Sequence, residues 1–151
     1  VDDNHHMINI VKTILRGFGA KEFAEARDAV EAFDIIRNNP IDIIITDHLM
    51  DPLNGLEFVR LVRTADDSPN RLVPIMMLSA YSERSRVEEA RDAGVNEFCT
   101  KPVTATELYR KVCSMVNAPR PFVRTSVYFG PDRRRRKPGA YSGEERRDAE
   151  S

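Results

Sequence analysis

The sequence lacks tryptophan, has only two cysteines and contains no long apolar run. Cys99 and Cys113 cannot form a disulfide framework, and they do not have the Cys-x-x-Cys spacing of zinc and redox motifs. Unpaired thiols are typical of a reducing compartment, so we expect a cytoplasmic protein. The apolar runs are too short to cross a bilayer and no signal peptide opens the chain. These absences argue against the secreted disulfide-rich and membrane-spanning classes.

An excess of charge of one sign is also missing, because 23 Lys and Arg face 24 Asp and Glu in 151 residues. This balance conceals an asymmetry along the chain. Residues 1–118 hold 14 basic and 19 acidic side chains, whereas residues 119–151 hold 9 and 5. Four of the nine prolines lie in the second range, where hydrophobic periodicity fades. We therefore predict a folded domain over 1–118 and a basic, Pro- and Arg-rich tail over 119–151, irregular or partly disordered.

Helical and strand patterns alternate along the predicted domain. Apolar residues recur at helical spacing in five segments, and runs rich in β-branched residues separate most of them. Strict alternation with short links predicts an α/β fold, a parallel sheet with helices on both faces. The predicted helices cover about 7–18, 28–39, 55–63, 82–93 and 104–116, and the predicted strands cover 20–26, 41–46, 72–79 and 95–100.

The first three residues, "VDD", stand where this fold requires the carboxyl end of an additional first strand. Without the rest of that strand, the sheet would have a slot lined by unpaired backbone groups. We expect several further apolar residues upstream in the natural protein. The alternative is that the alternating segment 122–129 fills the slot, in the same or a swapped chain.

Five chemically active side chains stand at the carboxyl ends of the expected strands, where open α/β sheets bind ligands: Asp2, Asp3, Asp47, Ser79 and Lys101. Taken singly, each has an ordinary alternative as a helix-terminal charge, a loop or helix cap, or a solvated lysine. Because all five stand at strand ends, we favour the interpretation that they form one functional site. Clustered carboxylates repel one another and need a cation, and an all-oxygen set suits Mg²⁺. A carboxylate in such a site can attack a phosphoryl group and form an acyl phosphate.

The combined pattern "DD", "D-x-x-M-x-P-x-x-G", "S-A" and "K-P" resembles the response regulator receiver domain of two-component signalling. The resemblance covers residues 1–118 apart from the missing first strand. It implies a flavodoxin-like, doubly wound sheet of five parallel strands in the order 2-1-3-4-5. It also implies a stand-alone receiver similar to chemotaxis regulators, with a C-terminal extension.

The resemblance implies a role for each residue of the site. Asp47 matches the phosphoacceptor, and Lys101 matches the lysine that pairs with the phosphoryl oxygens. Ser79 matches the switch hydroxyl that swings towards the phosphoryl group. Phe98 matches the aromatic residue that turns inward with it, although tyrosine is common at this position. The bond between Lys101 and Pro102 is expected to be cis, as in the family.

The same resemblance implies a magnesium site. Asp3 and Asp47 match direct Mg²⁺ ligands, and the backbone carbonyl of Leu49 completes the protein contribution. Asp2 acts mostly through water. Mn²⁺ is expected to substitute for Mg²⁺.

The rim of the site departs from the family pattern at one position. The family usually has proline four residues after the phosphoacceptor, but Asp51 stands there and Pro52 follows. Tyr81 and Leu49 are expected to tune the access of hydrolytic water, and two bulky groups suggest slow loss of the phosphoryl group.

Three histidines lie close to the predicted site along the chain: His5, His6 and His48. Imidazole is a common transition-metal ligand, which is one interpretation. We prefer the other, in which all three are solvated loop residues at the rim.

These features predict a phosphoacceptor switch that receives its phosphoryl group from a histidine kinase or a histidine phosphotransfer protein. It is not an enzyme in the usual sense, because it catalyses only its own phosphorylation and dephosphorylation. Its output surface is expected to comprise helix 82–93, the strand of Phe98 and the last helix, which would contact an unidentified downstream protein. One alternative is a degenerate receiver that binds proteins independently of phosphorylation. Another is a phosphatase of the haloacid dehalogenase kind, which would require Asp-x-Asp after the strand.

The tail carries the run "DRRRRK" but no helical pattern. A helix-turn-helix cannot be built from it, so we do not expect sequence-specific DNA binding. We interpret it as a segment that docks on a partner or on its own domain, with Phe122, Tyr128 and Phe129 as anchors.

Overall fold

A computed structural model describes residues 1–50, 53–80, 83–117, 121–124 and 129–131. From residue 29 to residue 117 helices and strands alternate as predicted, and the first three strands form a parallel sheet in sequential order. The α/β fold class is therefore confirmed. The elements in chain order are α1 (His5–Gly17), α2 (Ala29–Asn38), β1 (Ile44–Asp47), α3 (Gly55–Thr64), β2 (Ile75–Ser79), α4 (Arg84–Ala93), β3 (Glu97–Thr100), α5 (Ala105–Asn117), β4 (Phe122–Arg124) and β5 (Phe129–Pro131).

The register of the parallel sheet brings the ends of its strands to one edge. Asp47 at the end of β1 lies opposite Leu78 of β2, and Ser79 at the end of β2 lies opposite Thr100 of β3. The three strands thus finish within one residue of each other. The residue that follows β3, Lys101, is held at the same edge by a 2.7 Å hydrogen bond from its amide to the Ser79 carbonyl.

Helices cover both faces of the sheet, which gives the domain two apolar cores. Every residue of β2 is buried, as a central strand requires. Because successive side chains of a strand point to opposite faces, Ile75 and Met77 enter the core formed with α2, α3 and α4. Met76 and Leu78 enter the core formed with α1 and α5.

Most of the helices begin at side chains that cap them. Asp28 accepts the Glu31 amide at 2.8 Å, and Asn54 and Glu57 form a capping box at the start of α3. Helix α4 has no side-chain cap and buries only two small side chains, Ala90 and Ala93, so its anchoring to the domain is weak. Within the described ranges, no helix has the length and apolarity needed to cross a membrane.

The opening residues lie beside β1, as expected for the end of a first strand. The Val1 nitrogen donates to the Ile45 carbonyl at 2.7 Å, and the Val1 carbonyl accepts the Asp47 amide at 2.8 Å. These two bonds have the pattern of a parallel bridge. Of the segment 122–129, the described residues Phe122–Arg124 and Phe129 do not fill this position, because they belong to the pair of strands β4 and β5.

The prediction of a strand at residues 20–26 is wrong, because these described residues form no regular secondary structure. A strand needs a neighbour along its length. Among the described residues, one backbone bond joins this segment to the start of the chain, from the Asp2 amide to the Ala26 carbonyl at 3.0 Å. The described sheet therefore has three strands where the resemblance implied five.

Part of the expected irregular tail is ordered, which corrects that prediction for residues 122–124 and 129–131. Strands β4 and β5 pair antiparallel, and Phe122 contacts Phe129 with ring centroids 5.7 Å apart. The guanidinium carbon of Arg63, in α3, also lies over the Phe122 ring, 4.9 Å from the ring centroid. This hairpin is docked on its own domain. Tyr128 and the arginine run lie outside the described residues.

Candidate functional site

Three carboxylates meet at the carboxyl edge of the sheet. Oxygen atoms of Asp2, Asp3 and Asp47 all lie within 4.8 Å of one another. Asp2 and Asp47 are buried, whereas Asp3 is exposed. Burial raises the pKa of the Asp2 carboxyl, opposed by a hydrogen bond from the Asn4 amide. Burial and the neighbouring Asp47 thus disfavour the charged form of Asp2, and a bound cation would stabilise that form.

Lys101 supplies a positive charge to this cluster. Its Nζ lies 2.9 Å from Asp47 Oδ1 and 3.9 Å from Asp2 Oδ2. The following bond to Pro102 is cis, as expected. One ammonium facing three carboxylates leaves an excess of negative charge. Oxygen-only donors with this charge fit a hard divalent cation such as Mg²⁺.

The structure argues against the ordinary alternatives for Asp47, Ser79 and Lys101. The cap of α3 is Asn54, so Asp47 does not serve as that cap. Helix α4 begins at Arg84 after Glu83, which leaves Ser79 outside any cap of that helix. Lys101 is an ion-paired side chain with only 25% of its surface exposed. The geometry therefore favours one shared site.

His48 is not the solvated rim residue that we predicted. Its side chain is 3% exposed, and its Nδ1 lies 3.0 Å from Oγ of the fully buried Ser79. Burial lowers the pKa of the His48 ring, with a further contribution from Arg86. His5 and His6 are exposed as predicted, but they lie in the first turn of α1 rather than in a loop.

The remaining predicted residues are placed as follows. Phe98 of β3 is partly buried and packs against the core that contains α4. The Leu49 side chain is exposed, and the predicted role of its carbonyl stays a prediction. Asp51 and Tyr81 lie outside the described residues.

Gly55, at the start of α3, allows this helix to pack directly on the backbone of the site. Its amide donates to the His48 carbonyl at 2.7 Å. A Cβ at this position would lie 2.2 Å from the Asp47 carbonyl oxygen, far inside van der Waals contact. The glycine of the "D-x-x-M-x-P-x-x-G" motif is therefore required by a close approach.

Replacing Gly55 by alanine is expected to lower the free energy of unfolding by about 1 to 3 kcal/mol, because the backbone of Asp47 must move. The matched control is Gly17→Ala, since a Cβ at Gly17 meets nothing within 4 Å. That change should be neutral or stabilise by about 0.4 to 1 kcal/mol. Urea unfolding followed by far-UV circular dichroism measures both. Equal effects of the two substitutions would contradict the close-approach argument.

Replacing Asp3 by asparagine is expected to move stability and metal affinity in opposite directions. Without metal, the loss of one repelling carboxylate should raise the free energy of unfolding by up to about 1 kcal/mol. The affinity for Mg²⁺ should fall at least about tenfold. Asp42→Asn is the control, because Asp42 is exposed near the opposite end of β1. Calorimetric titration with Mg²⁺ and urea unfolding in a chelator should distinguish the two variants; matching behaviour would count against the site.

The fold and the site together define an α/β protein with a cluster of aspartates and a lysine at its strand ends. The family model of the response regulator receiver domain matches residues 1–113. The chain belongs to this family and is thus a two-component signalling protein.

Curated relatives support the assignment. The chain is 37% identical over 112 residues to the chemotaxis protein CheY of Pseudomonas aeruginosa, covering 74% of this chain and 89% of the relative. It is 35% identical over 112 residues to the chemotaxis protein CheY-3 of Vibrio cholerae, covering 74% and 85%.

Solved structures show the same fold. The signal receiver domain of a signal transduction histidine kinase from Syntrophus aciditrophicus is 26% identical with a TM-score of 0.68, covering 78% of this chain and 86% of that one. The receiver domain of the sensor histidine kinase PA1611 of Pseudomonas aeruginosa is 26% identical with a TM-score of 0.67, covering 78% and 94%. That structure has a magnesium ion coordinated in its active-site cleft.

Proposed function

We propose that this protein is a response regulator that accepts a phosphoryl group on Asp47 and thereby switches a protein-binding surface. The observation that carries the proposal is the convergence of Lys101 with three carboxylates at one edge of the sheet. A lysine 2.9 Å from the acceptor carboxylate supports this function better than a phosphorylation-independent binding module, which would need none of these groups.

The chemistry asks for positioning and charge compensation. A carboxylate oxygen of Asp47 forms a bond to phosphorus while the bond from phosphorus to the donor imidazole nitrogen breaks, and the imidazole then takes up a proton. Lys101 stands where its ammonium can pair with the phosphoryl oxygens as their charge develops. In the switched state, the Ser79 hydroxyl would donate a hydrogen bond to the same oxygens.

Asp2, Asp3 and Asp47 would hold the Mg²⁺ ion, with Mn²⁺ as its substitute. When bound, the ion supplies positive charge that offsets both the carboxylates and the incoming phosphoryl group. Asp3 and Asp47 would bind it directly, and Asp2 through water.

The proposed output surface lies on α4, β3 and α5. A groove between these elements is lined in part by Val87, Arg91, Phe98 and Lys111. Helix α4 is poorly anchored, and elements that move in switching are drawn from such low-stability segments. A change at Ser79 and Phe98 would therefore reshape this groove for a downstream protein.

The donor would be a histidine kinase or a histidine phosphotransfer protein. We place this exchange in the cytoplasm, because the two cysteines are free thiols, one of them buried.

The test is phosphorylation of the purified chain by a small phosphodonor, read by intact mass. We expect the mass of one phosphoryl group to appear with Mg²⁺ and to disappear with a chelator. Asp47→Asn should lower the yield at least about a hundredfold, because it removes the nucleophile. An unlabelled wild-type protein, with its fold verified by circular dichroism, would favour the binding module.

A further inference from the structure

The hydrogen bond between His48 and Ser79 has no place in the chemistry described above. Both side chains are almost fully buried, and Nδ1 and Oγ lie 3.0 Å apart. A buried polar pair of this kind stabilises one arrangement against others, because moving either side chain breaks a hydrogen bond that water does not readily replace.

The register of the sheet explains why these side chains meet. The His48 amide donates to the Leu78 carbonyl at 3.0 Å, which continues the pairing of β1 with β2 and sets His48 beside Ser79. Ser79 follows Met77 by two residues, so it points to the face that carries the core with α3 and α4.

His48 also lies within electrostatic range of α4, the helix that the proposed function needs to move. Arg86 and Glu89 of α4 and the neighbouring Asp47 are the charged groups that act on its ring. Phe98 packs against the same core. The imidazole is thus bonded to the switch hydroxyl, adjacent in sequence to the phosphoacceptor and within electrostatic range of α4.

We propose that His48 is a positioning residue that holds the Ser79 hydroxyl in its unphosphorylated position and so sets the threshold of the switch. The inference rests on the proposed function. A hydroxyl held beside the imidazole must leave it to reach a phosphoryl oxygen on Asp47. The free energy of this one hydrogen bond therefore opposes the change to the phosphorylated conformation.

The experiment measures binding of beryllofluoride, a mimic of the phosphoryl group, in the presence of Mg²⁺. Fluorine NMR reports the bound mimic directly, which suits a chain without tryptophan. His48→Leu removes the bond and is expected to raise the affinity for the mimic about three- to tenfold. His48→Asn, whose amide can still bond to Ser79, should stay within about twofold of the wild type.

A second background makes the test specific to the hydrogen bond. In Ser79→Ala, the His48→Leu substitution should not raise the affinity further, because the bond between these two side chains is already absent. Unchanged or lower affinity in His48→Leu overturns the inference, as does a rise that persists in Ser79→Ala or equals that of His48→Asn. Folding of each variant is verified by urea unfolding.

The result also separates this inference from the proposed function. If the wild-type protein does not bind beryllofluoride with Mg²⁺, the proposed function fails and the inference fails with it. If the wild type binds and His48→Leu behaves identically, only the role of His48 is lost.

Discussion

Replacing Lys101 by methionine is expected to slow phosphoryl uptake by Asp47 about a hundredfold or more. Methionine keeps the apolar stem of the side chain but removes the ammonium that lies 2.9 Å from Asp47 Oδ1. Preorganised charges of this kind typically contribute a factor of about 10² to 10³ to the rate. Single-turnover labelling with a small phosphodonor and Mg²⁺, followed by intact mass, gives the rate.

The matched control for this prediction is Lys111→Met. Lys111 has 23% of its side chain exposed, close to the 25% of Lys101, and its Nζ lies 3.7 Å from a carboxylate oxygen of Glu97. It lies on α5, away from the acids of the site. Its loss should leave the labelling rate within about twofold of the wild type. Similar rates for the two variants would show that the position of the Lys101 ammonium beside Asp47 does not matter for phosphoryl transfer.

Replacing Arg63 by methionine is expected to lower the free energy of unfolding by about 3 to 5 kcal/mol. Arg63 is 1% exposed, and its guanidinium joins α3 to the end of α4 and to the start of β3. It donates to four oxygens at 2.7 to 2.9 Å, namely the carbonyls of Arg71, Val73 and Gly94 and the side chain of Asn96. Methionine would remove this donor from the three carbonyls, whereas the Asn96 side chain would keep its bond from the Ile75 amide.

Arg63→Lys should recover only part of this stability, because an ammonium does not reproduce the planar fork of five donors. Arg60→Met is the control on the same helix, since Arg60 is exposed and its loss should change stability by no more than about 0.5 kcal/mol. Urea unfolding followed by circular dichroism measures all three. A loss below about 1 kcal/mol in Arg63→Met would contradict the assigned role.

The acids, hydroxyl and lysine of the site could be predicted because each stands at a strand end that the sequence marks clearly. Asp47 closes a β-branched run, Ser79 closes a second apolar run, and Lys101 precedes proline. A parallel sheet then brings these ends together whatever the details of packing.

His48 and Arg63 were missed because their burial depends on neighbours distant in sequence. A histidine directly after the acid fits a loop by its local sequence. Its spacing of two from the buried Thr46, however, places both side chains on the same face of the sheet. Arg63 follows Val59 by four residues, which puts its side chain on the buried stripe of α3. Helical spacing can also mislead in the opposite sense, because Val30 and Val116 fit the apolar spacing of their helices and are nevertheless exposed.

The most direct test of the central claim is to locate the phosphoryl group after transfer from a phosphohistidine protein. Borohydride reduces an aspartyl phosphate to homoserine, whereas a phosphohistidine is not converted in this way. We predict homoserine at position 47, only when Mg²⁺ is present. Phosphate recovered on the adjacent His48, or transfer with no change at Asp47, would contradict the claim that Asp47 is the acceptor.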